Sequence, residues 1–152
     1  RFVVIGATGA SFEGLEIAVP AHLQDRLEFR GQINDAAEIY KAYAHARFLL
    51  FPSFYEASPL PPIEAMTFGC PVVASSIPSI LERCGDAAIY CAPDSPASMV
   101  AAIDTLMADA ASWRAASDTS RAWTERFSWR AQAEGLMRLC ASVCGSSEKA
   151  AA

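Results

Sequence analysis

The sequence predicts an α/β fold: a parallel sheet flanked by helices. Short apolar runs alternate with helix-patterned segments over the first two thirds of the 152 residues. Several of those runs are continuously apolar, as strands covered on both faces must be. After Pro93 the strands stop and three helical stretches follow. Alternating β and α elements imply parallel strands joined by right-handed crossovers.

The elements follow in order. Phe2–Ile5 (FVVI), Leu27–Phe29, Phe48–Phe51, Val72–Ala74 and Ala88–Cys91 are the expected strands. Between them, helical patterning covers Glu13–Leu23, Ala36–Ala46, Pro62–Phe68 and Ile80–Cys84. Three further helices are expected over Pro96–Ala108, Ser112–Phe127 and Ser128–Val143, the last capped by Ser128. Val100, Ile103, Leu106 and Met107 form the face that the first of these offers to the sheet. Residues 1–145 read as one domain, with no linker or repeat, and 146–152 as a frayed tail.

Composition excludes several classes. The net charge is −5, lysine occurs only at Lys41 and Lys149, and there is no basic stripe to neutralise a phosphate backbone, so nucleic acid is not an expected partner. No apolar run approaches the roughly 20 residues that cross a bilayer, and no signal-peptide order opens the chain, so a cytoplasmic location is expected. The five cysteines have no C-x-x-C pair and read as small buried hydrophobes. His22 and His45 stand apart without metal-ligand spacing, and no Asp-x-Asp is present, so no metal is expected.

In an open, Rossmann-like sheet, ligands bind beyond the carboxyl ends of the strands. "FPSFYEASPLPPIEAMTF" lies at such an end: a strand, a loop, and a helix opening on Pro61 or Pro62. A helix start favours an anion such as a diphosphate. Glu64 falls in its first turn, where a carboxylate accepts from two neighbouring hydroxyls such as a ribose diol. Glu56, before the loop, can grip sugar hydroxyls in the same way. From spacing alone, a first-turn acid complementing the helix dipole and a solvated Glu56 account for both residues without a ligand.

The longer stretch "FPSFYEASPLPPIEAMTFGCPVVASSIPSILERCGDAAIYCAP" resembles the donor-binding signature of retaining glycosyltransferases of the GT-B fold, the large family-4 (group 1) set. The signature is a strand ending in Pro-Ser, then Glu, seven residues, Glu-Ala-Met, then Gly, a small residue and Pro-Val-Val-Ala-Ser. The likeness extends to "RLEFRGQI" upstream and to "RFSW" at Arg126–Trp129. It implies that Glu64 binds the nucleotide ribose and that Glu56 contacts the donor sugar as the catalytic-site acid. Backbone around Ser58, Pro59 and Leu60 would face sugar and diphosphate, Gly31 to Ile33 would lie near the base, and Gly6 would line the cleft. The whole enzyme would move a hexose, by family frequency mannose from GDP-mannose, to the hydroxyl of a cell-surface polysaccharide or lipid-linked acceptor. Its donor is a nucleotide diphosphate sugar, and its relatives work without a metal.

The chain departs from the pattern in two places. Ala57, Ser58 and Pro59 replace the flexible Gly-Phe-Gly of many relatives, and Pro59 has no amide to donate. The family's first strand and helix in this domain, which carry an Arg and a Lys for the diphosphate, have no counterpart here. The chain is therefore expected to be an inactive fragment, with an acceptor domain of the same polypeptide elsewhere and any peripheral membrane association running through that domain. Where the central strand is lacking, between Phe2–Ile5 and Phe48–Phe51, a second chain, a rearranged element, or residues of the full protein beyond this sequence are expected.

Two other readings compete. "VVIGATGASFEG" resembles the Gly6-x-x-Gly9 fingerprint of NAD(P)-dependent short-chain dehydrogenases, but Phe12 stands where the third glycine belongs and no Tyr-x-x-x-Lys pair exists. The other is a nucleotide-sugar-binding module without catalysis of its own.

Overall fold

The computed structural model describes residues 1–6 and 19–149, with side chains described as far as 144. It divides into two compact units, residues 1–42 and 43–152.

In the first unit, β1 (Phe2–Ile5) pairs in parallel with β2 (Leu27–Gly31). Pro20 leads into a 3₁₀ turn at Ala21–Arg26, so Leu23, expected to end an α-helix, lies in a tighter turn. Residues 13–18 of that expected helix, with Gly9 and Phe12, lie outside the described residues. β2 continues past Phe29 to Gly31, whose carbonyl accepts from the Gly6 amide at 2.9 Å. The pair is thinly covered: Phe2, Val3 and Val4 are 49, 43 and 41% exposed, although parallel strands of this composition are ordinarily buried. Helix α1 (Ala36–His45), whose last three residues belong to the second unit, follows Asp35, whose carboxylate accepts from the Ala37 amide.

In the second unit, β3 (Leu49–Phe51), β4 (Val72–Ser75) and β5 (Ala88–Cys91) form a parallel sheet in that order. Among the described residues no ladder joins it to β1 or β2. The period-2 alternation of strands divides the core. Val72 and Ala74 of β4 pack on one side with Leu49, Phe51, Ala88 and Tyr90, together with Ala65 and Met66 of α2 (Pro61–Thr67) and Ile80 and Cys84 of α3 (Pro78–Cys84). Val73 packs on the other side with Leu50, Ile89 and Cys91, under α4 (Pro96–Met107) and α5 (Ala110–Thr124). The sheet is thus covered on both faces, as its unbroken apolar runs require.

The face that α4 buries differs from the expected one. Ala102 and Leu106 are buried, and Met99 and Ile103 pack beside them, whereas Val100 is 57% exposed and Met107 38%. The spacing 99, 102, 103, 106 is a tighter helical stripe than the expected set. Counting hydrophobicity favoured Val100 over Ala102, but a small residue is what lets the helix approach β4.

Helix α2 ends where Gly69 takes φ +70 and the amides of Gly69 and Cys70 return to the carbonyls of Met66 and Ala65, a Schellman closure. α3 ends at Gly85, φ +49, and a 3₁₀ turn, Gly85–Ala87, leads into β5. Helix α6 (Trp129–Lys149) starts from the Ser128 hydroxyl, which accepts from the Ala131 amide, and its backbone continues through 146–149. Among the described residues no helix is long and apolar enough to cross a membrane.

The cysteines divide. Cys70, Cys84 and Cys91 are buried, and desolvation pushes the Cys70 and Cys84 thiols up to about 11. Cys140 and Cys144, expected to be buried, are exposed on α6. Because only an accessible thiolate reacts quickly, a thiol reagent at pH 8 should label two cysteines promptly in the native protein and all five in denaturant. Prompt labelling of a third would contradict the packing around β4.

Candidate functional site

The register Leu49↔Val72, Phe51↔Ala74 brings the carboxyl ends of β3 and β4 to one edge of the sheet. Two serines join the chain there. The fully buried Ser75 donates its hydroxyl to the Ser53 carbonyl at 2.5 Å, pinning the root of the loop that leaves β3. Ser53 in turn donates its own hydroxyl to Glu56 Oε1 at 2.8 Å. A carboxylate accepts at about four lone-pair sites, so Ser53 orients Glu56 and leaves it capacity for other donors.

From Glu56 the loop runs through exposed Ala57 and Ser58 to Pro59, which is fully buried. Position 59 therefore anchors the loop by packing, while Leu60 is 55% exposed. Phe54 and Tyr55, just before Glu56, are 72 and 83% exposed. Helix α2 then opens with Leu60 as its cap and prolines at its first two positions. Those prolines delete two of the amide donors that a helix start ordinarily offers. The donors left ahead of Glu64 are Leu60 and Ile63, because the Glu64 amide is bonded to the Leu60 carbonyl. The helix start is a poorer anion cradle than its sequence suggests.

Glu64 is half-buried in the first turn of α2, and Tyr43 donates its hydroxyl to Glu64 Oε2 at 3.3 Å. The structure therefore places Glu56, Ser58, Pro59, Leu60 and Glu64 on one loop and the first turn it feeds. Gly6 and Gly31 are joined at the ends of β1 and β2 in the first unit, with half-buried Ile33 just beyond.

Beside the loop lies an open pocket of about 250 Å³ lined by Ala57, Ser58, Pro59, Ser79, Glu82, Arg83 and Phe127. Arg83 of α3 donates from Nη2 to Ser58 Oγ at 2.7 Å, and its guanidinium carbon stands 6.0 Å from the centre of the Phe127 ring. The arrangement sets two hydroxyl-accepting acids at the ends of one loop and its following turn, which suits a polyhydroxylated molecule.

Residues 1–109 match the family model described as "Glycosyl transferases group 1". The chain belongs to the group 1 glycosyl transferases. This group 1 chain is 41% identical over 88 residues to O-antigen chain mannosyltransferase B of Escherichia coli, a match covering 57% of the chain and 23% of that relative. It is 32% identical over 104 residues to O-antigen chain mannosyltransferase RfbU of Salmonella typhimurium, covering 68% and 29%. Among solved structures, sucrose-phosphate synthase from Thermosynechococcus elongatus superposes with a TM-score of 0.72 at 29% identity, over 82% of this chain and 32% of that one. The matches span less than a third of each of these proteins. The fold is the parallel α/β architecture of GT-B glycosyltransferases.

Sequence reasoning passed over four partners around this candidate site: Tyr43, Ser75, Arg83 and Phe127. Ser75 was visible in the quoted Pro-Val-Val-Ala-Ser, and Phe127 in "RFSW". Arg83 and Ser58 are 25 residues apart, and no local pattern links them.

Proposed function

We propose that this chain is the donor-binding half of a retaining glycosyltransferase that moves a hexose, mannose being the first candidate, from a nucleotide diphosphate sugar to an acceptor hydroxyl. The observation that carries this reading is the pair of acids flanking the loop, each already oriented by a hydroxyl, Glu56 by Ser53 and Glu64 by Tyr43. Glu64 accepts from the ribose diol. Glu56 accepts from hydroxyls of the hexose. The backbone at Ser58, Pro59 and Leu60 gives shape to the space between them, and contact with the base is assigned to Gly6, Gly31 and Ile33. Mannose and a polysaccharide acceptor are supported by the names of the two curated relatives.

The leaving group is a nucleoside diphosphate, so stabilising its developing charge is the main electrostatic task. With Pro61 and Pro62 removing amide donors, the Leu60 and Ile63 amides do only part of it. The rest falls to cationic side chains of a further strand and helix. The open sheet edges and the exposed apolar residues of β1 support such an addition. An acceptor domain in the same polypeptide fits the small share of each relative that the chain matches. The reaction proceeds without a bound metal.

The test is titration of the whole protein with GDP-mannose, UDP-glucose, UDP-galactose and ADP-glucose, of which one should bind competitively with its own nucleoside diphosphate. Glu56→Gln should then lower turnover by at least tenfold while the nucleoside diphosphate Kd stays within about twofold, since a lost charged hydrogen bond to the sugar is worth roughly 1.5–3 kcal/mol. Equal losses for nucleoside diphosphate and nucleotide sugar would remove Glu56 from the sugar.

A further inference from the structure

The Arg83–Ser58 contact has no role in the reading above, yet it ties the exposed part of the loop to the rest of the second unit. The loop is fixed at its root by Ser75 and at its far end by buried Pro59. Between these points Ala57 and Ser58 are exposed, and Ser58 Oγ receives the Arg83 guanidinium at 2.7 Å. Arg83 is itself held from behind. Its carbonyl accepts from Trp123 Nε1 at 3.1 Å, and its guanidinium lies over Phe127 just past the end of α5.

We propose that Arg83 is a positioning residue: through Ser58 it latches the Glu56–Leu60 loop in the conformation that receives the donor sugar. This rests on the function proposed above. Two magnitudes favour a positioning role over a merely structural one. A single exposed hydrogen bond contributes little to global stability. A displacement of about 1 Å in a residue that positions substrate costs on the order of 100-fold in rate. A weak contact can therefore matter far more to turnover than to folding. The loop has no glycine between Glu56 and Pro59, so its few accessible conformers can be selected by one bond.

The experiment uses the whole protein and compares Arg83→Ala, Ser58→Ala, the double variant and Arg83→Lys. Each alanine variant should lower kcat with the best-bound sugar of the panel by about tenfold, leaving the nucleoside diphosphate Kd within about twofold and the Tm nearly unchanged. The double variant should be no worse than either single one, because both break the same bond. Arg83→Lys should recover part of the loss, since an ammonium reaches one hydroxyl. Amide hydrogen exchange without any donor should be faster over residues 54–60 in both alanine variants. Unchanged exchange there, losses that multiply in the double variant, or a loss confined to Arg83→Ala would overturn the latch. If no panel sugar binds the wild type, the functional reading fails and the exchange result alone judges the latch.

Discussion

Replacing Glu64 by alanine in the whole protein should weaken nucleotide-sugar binding by about 10- to 100-fold, the equivalent of roughly 1.5–3 kcal/mol for a charged acceptor that loses its hydroxyl partners. The loss should be as large for the nucleoside diphosphate as for the nucleotide sugar, because the ribose is common to both. That symmetry separates Glu64 from Glu56, whose substitution is expected to spare the nucleotide. Tyr43→Phe supplies the graded control. It keeps the carboxylate but removes a hydrogen bond that is long at 3.3 Å, so donor affinity should fall by only about twofold. Isothermal titration of the variants with nucleoside diphosphate checks all three. An unchanged Kd for Glu64→Ala would remove the ribose role.

The second large effect concerns the fold beneath the site. Gly85 takes φ +49 at the end of α3, and a Cβ placed there would lie 2.1 Å from the Trp123 ring. The ring is rigid, half-buried and bonded through Nε1 to the Arg83 carbonyl, so it cannot swing aside cheaply. Backbone strain of about 1–3 kcal/mol adds to an overpacking cost of similar size. Gly85→Ala should therefore destabilise by about 3 kcal/mol, lowering Tm by roughly 10 °C. Gly69→Ala is the milder comparison. It also has positive φ, but the Cβ there would meet the Arg121 guanidinium, the movable end of an exposed side chain, and about 1 kcal/mol is expected. Denaturant unfolding of the two variants tests the order. A Gly85→Ala protein as stable as Gly69→Ala would mean that the Trp123 ring yields more easily than its contacts indicate.

The sheet was legible because β3, β4 and β5 are covered on both faces, and such covering writes itself as unbroken apolar runs such as the Val-Val-Ala of β4. The strand ends were less so. β2 continues through Arg30 and Gly31, which carry no apolar signal but still pair with β1. Hydrophobicity misassigned two surfaces for a common reason: it measures what a residue prefers and not what lies opposite it. Val100 lost its place on α4 to Ala102, and Cys140 and Cys144 lie exposed on α6. The relative placement of Glu56 and Glu64 was readable because the seven residues between them span one loop and the first turn of the helix after it. Their supports were not, because Tyr43 is 21 residues from Glu64 and Arg83 is 25 from Ser58, distances that only the folded chain closes. The prolines of α2 were read as a helix start, and the count of amides they remove became plain only once both stood at its first two positions.

The most direct test is a crystal structure of the whole protein with its nucleotide sugar bound. The Glu64 carboxylate is expected within about 3.2 Å of both ribose hydroxyls and Glu56 within the same reach of hexose hydroxyls. A nucleotide sugar seated elsewhere, with both acids turned to solvent, would contradict this placement.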